Sequence, residues 1–126
     1  MDTTREIMFR GKNIDNGEWT YGELLTLKDV KETLYIYGKA KINPKTVGQY
    51  TGVTDDNGEK IFEGDILRFS YTGKYMGVDG VANVVFQNGK FGVLWGNRKE
   101  LVCLDGFANT KMEVIGNIYD NPELLE

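Results

Sequence analysis

The sequence predicts a mainly β fold: a small twisted barrel of the SH3-like kind, or a related β-rich fold, with an additional N-terminal hairpin. Three observations predict it. Sixteen glycines against two prolines punctuate short apolar runs, the spacing of many strands joined by tight turns. Asn-Gly pairs at Asn16-Gly17, Asn57-Gly58 and Asn88-Gly89 tolerate the positive φ angles that hairpin turns require. Between these turns β-branched and aromatic residues alternate with polar ones, and no window carries a long helical period. With 126 residues the chain fits one domain, 1–126, in which 1–45 forms a hairpin region packed on a 46–126 barrel.

Residues Met1 to Thr4 carry nothing apolar to anchor them and are expected to form a loose arm. In EIMFRGK, Glu6 to Lys12, Ile7 and Phe9 share one face of a first strand. Asp15-Asn16-Gly17 reverses the chain into Trp19 to Leu25, read as one returning strand with Trp19 and Tyr21 in phase. Leu27 to Thr33 is too short for a stable helix and is read as a loop. Thr33 to Tyr37, TLYIY, makes a third strand, and Gly38 to Lys45 an exposed basic connection.

The stretch Thr46 to Phe69 gathers the strongest local signals. Thr46, Val47, Gln49 and Tyr50 favour extended backbone. Asp55, Asp56, Asn57 and Gly58 turn the chain. Ile61 and Phe62 lead to Gly64, which admits backbone geometry a side chain resists, and Asp65 opens the run Ile66 to Tyr71 with Leu67, Phe69 and Tyr71 on one face. Thr72 to Gly80, rich in glycine, is expected to be a loop.

A strand from Gly80 or Val81 to Phe86 turns at Asn88-Gly89 into Lys90 to Trp95, where Phe91, Val93 and Trp95 alternate with the rest. Leu101 to Leu104 is uniformly apolar and crosses the core as a strand or a short helix. Asp105 to Lys111 reads as loop. Met112 to Tyr119 is the last strand, with Val114, Gly116 and Ile118 assigned to one face, before Asp120, Asn121 and Pro122 close the fold.

Composition narrows the chemistry. A net charge of −4 from 15 basic and 19 acidic residues argues against non-specific binding to DNA or RNA, which rests on neutralising phosphates. The lone Cys103 cannot form an intrachain disulfide, and no Cys or His spacing resembles a zinc site. No run reaches the roughly 20 apolar residues of a membrane span. Neither such a run nor a signal-like apolar stretch is present, so a cytoplasmic protein away from membranes is the expectation.

Four segments together resemble the YopX-like proteins of bacteriophages and prophages: REIMFRGK (Arg5 to Lys12), EWTYGE (Glu18 to Glu23), Thr46 to Phe69, and VIGNIYDNPEL (Val114 to Leu124). The resemblance spans essentially the whole chain. It implies a small phage-encoded protein of largely β architecture located in the bacterial host cell, and brings no catalytic or ligand-binding residues with it. Asn57, Gly58, Gly64, Asp65, Asn88, Gly89, Gly116 and Asn117 are read as structural turn or junction residues.

Without histidine the chain lacks the commonest near-neutral acid/base. Cys103, in an apolar run, is expected to pack as a buried hydrophobe, and Ser70 has no base for a triad. No catalytic residue and no cofactor is assigned. The carboxylates Asp55, Asp56, Glu59, Glu63 and Asp65 are the candidates for Mg²⁺ or Ca²⁺, but Lys60 stands where a calcium loop needs glycine. A nucleic-acid footprint would comprise Arg5, Arg10, Lys12, Lys39, Lys41 and Lys45, with Trp19, Tyr35 and Tyr37 as stacking surfaces. The reading favours a non-enzymatic module that binds a phage or host protein, or its own copy in a homo-oligomer, through strand edges or Tyr-rich loops. An accessory nucleic-acid-binding protein is the second reading, and a metal-dependent enzyme the third.

Overall fold

The computed structural model describes residues 6–27, 33–36, 40–71, 80–95, 99–104 and 110–125. They are mostly strand, in three open antiparallel sheets that do not close into a barrel. The strands are β1 Phe9–Lys12, β2 Trp19–Gly22, β3 Leu24–Leu27, β4 Thr33–Ile36, β5 Ala40–Lys41, β6 Gly48–Thr54, β7 Lys60–Phe62, β8 Asp65–Tyr71, β9 Gly80–Gln87, β10 Lys90–Trp95, β11 Glu100–Cys103 and β12 Thr110–Asn117. Their orders are β2-β1-β6-β7, β3-β4-β5 and β11-β10-β9-β8-β12. The chain divides into two compact units, 1–52 and 53–126.

In the first unit β1 lies between β2 and the start of β6. The single strand expected over Trp19 to Leu25 is two strands. β2 pairs with β1 and β3 pairs with β4, so the chain changes partners at Glu23. The connection expected to be exposed over Gly38 to Lys45 holds β5, a 3-10 turn at Pro44–Thr46, and Ile42, only 1% exposed. Ile42 is drawn in by a bridge to Asn13 and by contact with Gly11, where any Cβ would collide with the isoleucine side chain. Thr46 Oγ1 accepts from the Lys12 N–H at 2.8 Å and donates to the Asn43 carbonyl at 2.7 Å, fixing that turn against the end of β1.

In the second unit the core consists of Ile61, Leu67, Phe69, Ala82, Val84, Val93 and Leu104, with Trp95, Met112 and Val114 packed on it. The β9–β10 hairpin follows its local signals: Asn88 and Gly89 have φ of 53° and 77°, and Gln87 pairs directly with Lys90. A barrel would require β11 to bond to β12. Ile61 from β7 and Leu104 after β11 instead join the apolar side of the five-stranded sheet, so its core is filled without closure. This corrects the SH3-like barrel, whose short strands and turns specify reversals and leave open which strand closes on which.

The last strand also departs from strict alternation. Val114 lies opposite Leu67 but Gly116 lies opposite Ile66, so Ile115 is an extra, bulged residue. Directly opposed residues share a face, and Leu67 and Ile66 are on opposite faces. Val114 and Gly116 therefore do not share the face the sequence pattern assigned them. Of the loops expected over Leu27 to Thr33, Thr72 to Gly80 and Asp105 to Lys111, residues 28–32, 72–79 and 105–109 lie outside the described residues, while Leu27 ends β3, Thr33 begins β4, Gly80 begins β9, and Thr110 and Lys111 already belong to β12.

Candidate functional site

The central carboxylates hold backbone rather than converge on a common point. Asp55 Oδ1 accepts from the N–H groups of Asn57 (2.9 Å) and Glu59 (2.8 Å), and Oδ2 accepts from the Val114 N–H at 3.0 Å. Asp56 Oδ2 accepts from the Met112 N–H at 2.7 Å, and the Asp56 N–H donates to the Met112 carbonyl at 3.1 Å. Both aspartates thus lie along β12, on the side that β8 does not use. Asp55 is 5% exposed. Burial pushes its carboxyl up, but the N–H groups of Val114, Glu59 and Asn57, with Lys111 nearby, outweigh this and hold it below its ordinary 3.8.

Asn57 and Gly58 lie in the same reversal. Gly58, at φ 81°, donates to the Asp55 carbonyl at 3.0 Å. Gly64, at φ 88°, donates to the Val84 carbonyl and accepts from the Ile118 N–H, at 3.0 and 2.9 Å. Asp65, 2% exposed, accepts the Phe62 N–H on Oδ2 at 2.8 Å and pairs across the sheet with Asn117. Asp65→Ala should lower unfolding free energy by about 2 kcal/mol, because a buried donor loses its acceptor. A urea denaturation midpoint equal to that of the wild type would refute this.

Gly116 leaves room for Asn121, whose Oδ1 would lie 2.6 Å from any added Cβ. Asn117 Oδ1 accepts from the Tyr119 and Asp120 N–H groups at 3.0 and 2.9 Å, folding the chain into the 3-10 turn Pro122–Leu125. Glu59 is exposed and Glu63 half-buried. Among the described residues, no group of three or more Asp, Glu, Cys or His side chains is placed to hold a metal ion.

The basic positions are separated by environment. Arg10 is 5% exposed, with its guanidinium carbon 4.4 Å from the centre of the Trp19 ring, and Lys12 Nζ lies 5.4 Å from the same centre. Trp19 is thereby engaged by the chain's own cations. Lys41 and Lys45 are exposed, whereas Arg5, Lys39 and Tyr37 lie outside the described residues. Cys103 is half-buried and does not belong to the core cluster, because as the last residue of an outer strand it is covered on fewer sides than the apolar run suggested. Ser70, half-buried, pairs with Lys111 on β12.

A groove in the first unit was not singled out from sequence. Ile7, Phe9, Leu24, Leu25 and Glu23 line a groove of about 520 Å³. Ile7 is 60% exposed and Leu25 39%. The in-phase pair Ile7 and Phe9 was a legible signal for one wall. The other wall depends on the partner change at Glu23, which sets Leu24 and Leu25 in β3.

The YopX family model, described as YopX protein, matches residues 8–126. The chain belongs to the YopX family. Membership supports a phage or prophage protein, and the four segments that carried the resemblance have clear structural roles. The first two form the β1–β2 hairpin, the third begins against β1, and its later part is bound to the fourth through Asp55, Gly64 and Asp65. This YopX-family chain is similar to protein EF1440 from Enterococcus faecalis, known from a crystal structure, at 25% identity and a TM-score of 0.62; the match covers 98% of this chain and 100% of that one. No curated protein matches it. Among the described residues, no helix is long and apolar enough to cross a membrane.

Proposed function

We propose that this YopX-family chain is an accessory protein that works by binding another protein, from phage or host, and catalyses no reaction. The observation that supports this reading is the groove of Ile7, Phe9, Leu24 and Leu25, which leaves large apolar side chains in contact with water. Apolar concavities with a few polar groups are the usual form of a recognition site. Glu23 in its wall fits a Lys or Arg beside the apolar residues of the bound segment. Asp55, Asp56 and Asp65 hold backbone N–H groups, and among the described residues no carboxylate cluster favours the metal-dependent reading. The engagement of Trp19 by Arg10 and Lys12 removes a stacking surface from the nucleic-acid reading.

Affinity capture from phage-infected cells tests the proposal, with wild type compared with Ile7→Asp and Leu25→Asp. Both positions are exposed, so the thermal melt should be unchanged. A specific partner retained by wild type should bind each variant at least about tenfold more weakly, the loss expected when a large apolar contact disappears. Capture of the same partner equally by all three proteins, or of none above controls, would overturn the proposal.

A further inference from the structure

Asparagine followed by glycine is chemically labile in water, because the glycine nitrogen attacks the asparagine side-chain carbon and no glycine Cβ crowds the approach. The chain has three such pairs, Asn16-Gly17, Asn57-Gly58 and Asn88-Gly89, all of them exposed. Neither the dipeptide nor access to water tells them apart. Their hydrogen bonds do. The Gly17 N–H donates to the Asn13 carbonyl at 2.8 Å, and Asn16 is held again through its Oδ1, which accepts from the Glu18 N–H at 2.9 Å. The Gly58 N–H donates to the Asp55 carbonyl at 3.0 Å, and the Asn57 N–H to Asp55 Oδ1 at 2.9 Å. In the third pair the hairpin closes between Gln87 and Lys90. Among the described residues, no hydrogen bond holds the Gly89 N–H or the Asn88 side chain.

We propose that Asn88 is a site of spontaneous self-modification, converting to aspartate and isoaspartate in the folded protein ahead of Asn16 and Asn57. The φ values of 53° and 77° at Asn88 and Gly89 are those of a type I′ turn. In that turn the Gly89 nitrogen points away from the Asn88 side chain. Rotation of the single peptide plane between the two residues gives a type II′ turn, with φ of Asn88 scarcely changed and ψ at about −120°. The Gly89 nitrogen then faces the Asn88 Cγ. Both are two-residue hairpin turns, so β9 and β10 stay paired during the rotation, and no bond to the Gly89 N–H is lost. The same rotation at Gly17 or Gly58 breaks the bond to Asn13 or Asp55. Type II′ favours glycine at the position of Asn88, so the reactive form is a minor one and the conversion is slow.

The step needs water alone. The Gly89 nitrogen bonds to Cγ, the Cγ–Nδ2 bond breaks, and ammonia leaves with the proton that the nitrogen gives up. Water then opens the cyclic imide at either carbonyl, leaving aspartate or isoaspartate. Each product adds a negative charge to the turn, and isoaspartate also lengthens the backbone between Gln87 and Lys90. The inference concerns the second unit and is independent of the groove in the first.

Peptide mapping by mass spectrometry, on full-length protein kept folded in warm, mildly alkaline buffer, provides the test. Asn88 should convert at least about fivefold faster than Asn16 or Asn57, the factor expected when the other two must first break a hydrogen bond. In concentrated urea, where no turn is held, the three rates should converge. Conversion of Asn16 or Asn57 as fast as Asn88 in the folded chain would overturn the proposal. So would an Asn88 that stays intact in the folded chain while the unfolded chain converts it, or the same separation of rates in urea.

Discussion

Phe69→Ala should lower the unfolding free energy by about 4 kcal/mol, the range found when a fully buried aromatic is truncated and the cavity only partly collapses. Phe69 is 1% exposed, sits in β8 between β9 and β12 of the five-stranded sheet, and meets Trp95 edge to face with ring centres 5.1 Å apart. Removal of its ring takes away both the apolar burial and that aromatic contact. Phe69→Leu should cost distinctly less, because much of the volume is kept. Urea denaturation followed by tryptophan fluorescence would measure both, and a loss below about 1 kcal/mol for the alanine variant would contradict the assigned core.

Asp55→Ala should cost about 3 kcal/mol. Three N–H groups, those of Asn57, Glu59 and Val114, lose one acceptor at a 5% exposed position, and each such loss costs roughly 1–3 kcal/mol where water cannot replace the partner. Partial access of water to the turn brings the sum below three full penalties. The same carboxylate makes stability depend on acid. Its folded-state pKa is depressed from 3.8, so the unfolded chain takes up the proton first as pH falls. The Asp55 contribution is complete above 3.8 and disappears as pH drops through the lower folded value. Urea midpoints for wild type and Asp55→Asn should therefore differ at pH 7 and converge as the pH falls through the depressed folded value. Parallel curves across that range would show that the Asp55 charge is not what holds the turn to β12.

Local features were legible and long-range ones were not. Asn88-Gly89 determines its hairpin from two adjacent residues, and the alternation in Lys90 to Trp95 places Val93 in the core without reference to distant sequence. The Asp55–Gly58 reversal was equally readable. That its carboxylates reach residues 56 and 59 positions away was not, because nothing in a turn motif names a distant donor. The barrel failed for the same reason: closure is a relation between β11 and β12, and each reads as a good strand alone. Trp19 to Leu25 looks continuous in propensity, yet the chain exchanges β1 for β4 within it. Ile42 was hidden in a lysine-rich run, and the Ile115 bulge in a regular-looking strand. The groove was half visible, since the phase of Ile7 and Phe9 marks one wall while Leu24 and Leu25 owe their place to that exchange.

The fastening of β12 by Asp55 and Asp56 has a consequence for synthesis. On the ribosome β8 emerges well before β12, and at roughly 5–20 residues per second its partner follows only after a few seconds. During that interval the flank of β8 that β12 will cover is available to other nascent chains, and the Asp55–Asp56 carboxylates have no amides from β12 to receive. Slow, late docking of the β12 segment, with a requirement for chaperone protection beforehand, is the biogenesis expected of this topology.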